Sequence, residues 1–176
     1  MPQPPRSSGS HPPRDPERPP ITRSDCQRPG VAAAARRVIE EAAADTNASA
    51  ATLWVVSQDG RHMEGALSCD PKAAILESAT VPVNDSIVGM VAATGLGTAI
   101  GPDEKYNRSV DARTGVPTVA MVAVPVHVGE ALCGVLSAVN PRTGHAPLFD
   151  GRDLQVLHAK ASALGAILET SLTGPD

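Results

Sequence analysis

The sequence predicts an α+β domain in which helices flank an antiparallel sheet, and three observations predict it. Two stretches of apolar strand pattern each fold about a turn: SAATLWVVSQDGRHMEGALSC around Gln58-Asp59-Gly60, and TVAMVAVPVHVGEALCGVLSAVN around Gly129-Glu130. Amphipathic helical stripes stand near Val31 and again after Phe149. The order helix, hairpin, strand, helix, strand, loop, hairpin, helix contains no internal repeat, and it is an α+β plan.

The first thirty residues stand apart. Nine of the seventeen prolines fall there, and MPQPPRSSGSHPPRDPERPP has no apolar period that could offset the entropy of ordering it. Residues 1–30 are therefore expected to be a disordered, partly polyproline-like Pro/Arg-rich tail, residues 31–172 the domain, and residues 173–176 a disordered end. The 176-residue chain has room for one domain, and the folded part is large enough to need no staples. Its ten basic and sixteen acidic side chains give the part after residue 30 a net charge of −6. That balance argues against a nucleic-acid surface. No apolar run reaches membrane-spanning length, and no leader pattern opens the chain, so no membrane partner is expected. Cys26, Cys69 and Cys133 form no metal or redox motif, which points to a reducing, cytoplasmic setting. Alanine- and arginine-rich usage suggests a bacterium of high genomic GC content.

From Val31 the chain reads as a helix, with Val31, Ala34, Ala35, Val38, Ile39 and Ala42 on one stripe and Arg36, Arg37, Glu40 and Glu41 off it. It ends near Asn47. The first hairpin follows, with Trp54 expected in the core. A short helix or loop then leads to a strand at residues 79–83. The glycine-dense NDSIVGMVAATGLGTAIG lacks Walker spacing, so it is read as a helix capped by Asp85 or Ser86 and stopped by a left-handed Gly95. Ile87, Val88, Val91 and Ala92 are spaced to cover the sheet, and Gly89 permits a close backbone approach. Any anion held there would meet the free amides of residues 86–88.

PDEKYNRSVDARTGVP is a polar loop with a helical turn near residues 107–113, and a loop this long in a compact domain suggests function. In the second hairpin, alternation sets Val122, Val124, Val126 and Val128 on one face and Met121, Ala123 and His127 on the other. Pro125 marks a sheet edge or strand end. The last helix has Asp150 as N-cap and Asp153 three residues on, and Leu154, Leu157, Ala161, Leu164 and Leu168 form its stripe. That stripe could serve the sheet, a partner helix, or both.

VPVNDSIVGMVAATGLGTAI, AMVAVPVHVGEALCGVLSAVNP and LFDGRDLQVLHAKASALGAILE, in that order and spacing, resemble a GAF domain. The resemblance implies a PAS-related sheet of six antiparallel strands, with the first and last helices on one face and pocket-forming helices and loops on the other. It also implies a homodimer through the terminal helices, for which Val38, Leu157, Leu164 and Leu168 are candidates. Of the Asn-Lys and later Phe-Asp-Glu pattern of cyclic-nucleotide-binding members, Asn140, Phe149 and Asp153 match. Pro141 and Leu154 replace the Lys and Glu, so the Lys–Asp bridge is lost unless Arg142 substitutes. In the free methionine-R-sulfoxide reductases of the family, cysteine thiolates attack the sulfoxide. Their three cysteine positions hold Ser78, Val88 and Thr114 here, and Cys69 and Cys133 do not replace them.

His62, His127, His145 and His158 have no carboxylate at motif spacing, His127 being the one to test for haem, and bilin-binding neighbours of Cys69 and Cys133 are absent. Candidate pocket residues are Ser86, Ile87, Asp111, Thr114, Met121 and Ala123. No metal site and no catalytic residue is expected, and no cofactor can be named. With no output domain attached before Asp176, the expected function is a non-catalytic sensory or regulatory module. It would bind a small cytoplasmic ligand and signal through dimer helices or a partner protein, which the tail could engage. The alternatives are a ligand-free interaction module and a reductase-like enzyme.

Overall fold

The structure, a computed structural model, describes residues 21–105, 107–142 and 148–174. The elements run α1 (Arg23–Cys26), α2 (Pro29–Asp45), β1 (Ala48–Val56), β2 (His62–Ser68), α3 (Ala73–Leu76), β3 (Thr80–Pro82), α4 (Ile87–Thr94), β4 (Thr98–Ile100), α5 (Ser109–Thr114), β5 (Met121–Val128), β6 (Ala131–Pro141) and α6 (Gly151–Thr173). The strands form one six-stranded sheet in the order β3-β2-β1-β6-β5-β4, antiparallel at each pairing.

Because strand side chains alternate between faces, each central strand serves two cores at once. Leu53, Val55, Val122, Val124, Val126, Val128, Leu136 and Ala138 point to a larger cluster, where they meet Ala35 and Ile39 of α2 and Leu157, Ala161, Leu164 and Leu168 of α6. Trp54, Ala123 and Val135 point the other way and meet Val88 and Val91 of α4. Pro125 lies beyond the last rung between β5 and β4, Ala123 opposite Thr98, which is how a mid-strand proline is accommodated.

The terminal helices are tied to the sheet and to each other. On α6, Asp150 accepts from the amides of Arg152 and Asp153, while the Asp153 carboxylate accepts from the Asp150 amide, a complete capping box. Lys160 bridges to Glu41 at 2.9 Å and Asp45 at 3.1 Å on α2. Arg36, off the apolar stripe, donates to Glu77 at 2.6 Å and to the Ser68 carbonyl at 3.0 Å, so α2 is clamped to the end of β2. Ala34, expected on the buried stripe, is exposed.

The expected boundary at residue 30 shifts. Ile21 is 2% exposed and Cys26 fully buried, Arg23 donates to the Ala79 carbonyl, and Gln27 donates to the Ala66 carbonyl. Thr22 and Asp25 close a capping box around α1, and Pro29 occupies the first position of α2. Residues 21–30 thus belong to the folded body, and at the other end α6 runs to Thr173. The remainder of the expected tail lies outside the described residues.

The dimer candidates are corrected as well. Leu157, Leu164 and Leu168 are fully buried within their own chain, because α6 lies directly across β5. They cannot face a second copy, and of the four only half-buried Val38 retains exposed surface.

Candidate functional site

On the α4 face of the sheet a cavity of about 110 Å³ opens between the strands, α4 and the loop carrying α5. Thr52 and Trp54 of β1, Met121 of β5, and Ser137 and Val139 of β6 form its floor. Ser86, Ile87 and Val88 supply one wall, and Val110, Asp111, Thr114 and Thr118 the other. The exposed Ser49 and Val116 mark its mouth.

Helix α4 is placed as its sequence demands. The Ser86 hydroxyl accepts from the Gly89 amide at 3.0 Å and donates to the Pro82 carbonyl at 2.6 Å, and Gly95 ends the helix at φ 69°. A Cβ on Gly89 would overlap the Val83 carbonyl, so the close approach expected there is to the turn leading into α4, not to the sheet or a ligand.

The loop wall is fastened from inside. Asp111 accepts from the Thr118 hydroxyl at 2.8 Å on Oδ1 and from the Thr118 amide at 2.9 Å on Oδ2. The Lys72 ammonium donates to the Thr114 carbonyl. Asn107 donates to Asp85 at 3.1 Å and so ties the loop to the approach to α4. Asn140, at φ 54°, accepts from the Val119 amide at 2.6 Å and donates to the Pro117 carbonyl at 3.0 Å. The residue picked out by the cyclic-nucleotide pattern therefore shapes the entry to β5.

Five of the six candidate pocket residues, Ser86, Ile87, Asp111, Thr114 and Met121, line this cavity. Ala123 does not: it is fully buried under α4, on the rung of Ser137 across β5 and β6. Trp54, expected in the core, is buried in the smaller core, and it also lines the cavity and donates its indole N–H to Ser137 Oγ at 3.0 Å. Thr52 and Ser137 were not picked out by the sequence. The available signal was a pair of hydroxyls at positions of alternating apolar strands that face away from the valine core.

Phe149 is core. Arg142 donates to the Ala48 carbonyl at 3.2 Å while Asp153 serves the capping box, so the substitute bridge does not form. His127 is exposed and outside the cavity lining, and His158 is exposed on α6. His62 sits 3.8 Å from Asp59, a carboxylate neighbour not expected, at the surface. His145 lies outside the described residues. Among the described residues no cluster of three or more His, Cys, Asp or Glu could hold a metal ion, and no helix is long and apolar enough to cross a membrane.

At the positions aligned with reductase cysteines, Ser78 is exposed and bonded to the Ala74 and Ile75 carbonyls, whereas Val88 and Thr114 line the cavity. The actual thiols lie elsewhere. Burial pushes Cys133 up to about 12 and Cys69 upward, the reverse of what a nucleophilic thiolate needs.

The family model of the GAF domain matches residues 31–168. The chain belongs to the GAF domain family. This is a family of regulatory and sensory domains, most of them non-catalytic. The GAF-B domain of DevS from Mycobacterium smegmatis is similar in structure, with a TM-score of 0.64 at 17% identity, covering 81% of this chain and 95% of that one. The free methionine-R-sulfoxide reductase from Neisseria meningitidis, solved with its substrate, gives a TM-score of 0.61 at 18% identity over 78% of each chain. The GAF domain/HD domain protein from Geobacter sulfurreducens gives 0.63 at 10% identity, covering 79% of this chain and 92% of that one. At these identities the likeness is one of fold. None of the curated proteins matches the sequence.

Proposed function

We propose that this GAF domain is a non-catalytic sensory or regulatory module that binds a small cytoplasmic molecule in the cavity under α4 and α5. One observation carries the reading. Among the described residues the buried polar side chains are Thr46, Thr52, Ser68, Thr114 and Ser137; three of these line the cavity, and Ser68 bonds to one that does. Polar groups are costly to bury and gather where they have something to bind. The raised thiols and the reductase positions filled by Ser78, Val88 and Thr114 weigh against cysteine catalysis.

Binding would report outward through the loop from Asn107 to Thr118, and through the sheet to α2 and α6. These helices could pair with a second copy through their outer faces, where Val38 and Ile167 are half-buried, or a partner protein could engage the Pro/Arg-rich N-terminal residues. The exposed Leu96, at 70%, and Val116, at 51%, favour a second reading in which the domain is an interaction module.

A thermal-shift screen of cytoplasmic metabolites, run beside native mass spectrometry of the purified protein, tests the first reading. A compound that raises Tm in the native chain but not in Val139→Trp, where the cavity is filled, is the expected result. No shift from any compound, with a native mass equal to the bare chain, would overturn it.

A further inference from the structure

We infer that the cavity floor selects an uncharged ligand group carrying a hydrogen-bond acceptor and donor side by side, such as the edge of a lactam or primary carboxamide. The inference rests on the small-molecule reading above and gives it a chemical class. Thr52 and Ser137 are direct partners across β1 and β6, 5% and 2% exposed, and both line the cavity.

Their hydrogen-bonding capacity is unequal. Ser137 Oγ accepts the Trp54 indole N–H at 3.0 Å, and its own hydroxyl proton has no acceptor among the described residues. Ser68 Oγ lies 2.9 Å from Thr52 Oγ1, donates to the Ala51 carbonyl at 3.2 Å and accepts from the Asp70 amide at 3.2 Å. The assignment that leaves neither of those two hydroxyl protons unpaired has Thr52 donating to Ser68. Thr52 Oγ1 then keeps free lone pairs. The floor thus offers one donor, at Ser137, next to one acceptor, at Thr52, with the Trp54 ring beside them.

Charge is disfavoured from both sides. Among the described residues no lysine or arginine lines the cavity to meet an anion, which is left with the amides at the start of α4, and the acids that line it are Asp70 and Asp111. Asp111 has both oxygens engaged by Thr118, and Asp70 Oδ1 accepts from the Lys72 amide at 2.7 Å. A cationic N–H would confront the Ser137 hydroxyl proton, another donor. Size sets a limit too: a cavity of about 150 Å³ encloses benzene, so this one encloses roughly four non-hydrogen atoms, the polar edge of a five-membered ring whose remainder lies at the mouth.

Trp54 is the one tryptophan of the chain, so its indole N–H gives a single NMR signal that reports directly on Ser137. The test titrates 2-pyrrolidinone, cyclopentanone, pyrrolidinium and isobutyrate into the full chain and follows that signal. Saturable movement with 2-pyrrolidinone is expected, at least tenfold weaker for cyclopentanone, which lacks the donor, and for both ions. Ser137→Ala and Thr52→Val should each weaken the lactam at least tenfold, and Thr52→Val leaves the indole bond in place should Ser137→Ala fold poorly. Equal or tighter binding of either ion, or lactam binding unchanged in both variants, would overturn the inference while leaving a small-molecule pocket standing. No movement with any probe would overturn the inference as well, and the metabolite screen above decides the small-molecule reading separately.

Discussion

Cys26 shows how one side chain can join a segment to a fold. Burial first, then the neighbouring Cys133 and Asp25, push its thiol from an ordinary 9.0 up to about 12. Below pH 9 the thiol is neutral whether folded or not and contributes nothing to pH dependence. Between 9 and about 12 only the unfolded chain releases the proton, so stability falls as pH rises, by up to about 1.4 kcal/mol per pH unit from this group. Urea unfolding at a series of alkaline pH values should therefore give a shallower decline for Cys26→Ala than for the native chain; parallel declines would refute it. Composition hid this residue, because a four-residue helix set among prolines and arginines has no period to read. The cavity floor was hidden for another reason. A threonine or serine in an apolar strand is unremarkable until its cross-strand partner is known, and the pairing of Thr52 with Ser137 spans β1 and β6.

At the scale of elements, periodicity is a local property and was readable. The two hairpins, the Ser86 cap, the Gly95 stop and the Asp150 capping box all follow from spacings of a few residues. What a helical stripe faces is not local. The leucines of α6 could equally have served a partner helix, and only the sheet beneath them decides the matter. Gly165 measures how close that contact is: a Cβ there would overlap the His127 carbonyl of β5, while one on Gly151, at the start of the same helix, would meet nothing within 4 Å. Gly165→Ala should cost about 1–3 kcal/mol, because either α6 or β5 must move. Gly151→Ala should be neutral or slightly stabilising, since alanine is the better helix former. Denaturant midpoints of the two variants check this, and a neutral Gly165→Ala would mean that the helix rides higher on the sheet.

The whole molecule is two-sided. One face of the sheet is closed by α1, α2 and α6 over an apolar core, and the other carries a smaller core interrupted by a hydroxyl-floored cavity. That division puts most of the buried apolar surface on one side and, on the function proposed above, the ligand site on the other, and it makes the N-terminal boundary a question of energy. The family match and the composition shift both place the start at residue 31. The packing places it ten residues earlier, because Ile21 and Cys26 sit in the larger core and Arg23 and Gln27 bond to carbonyls of the β2–β3 side. Full burial of an isoleucine is worth about 1.5–3 kcal/mol, and a buried thiol and two anchoring hydrogen bonds add to it. A chain beginning at Pro29 should therefore be less stable than one beginning at Pro19 by about 3 kcal/mol, a large part of the stability of a domain this size. Paired urea melts decide the point: coincident midpoints would return residues 21–28 to the tail, whereas a wide gap makes α1 a working part of the fold.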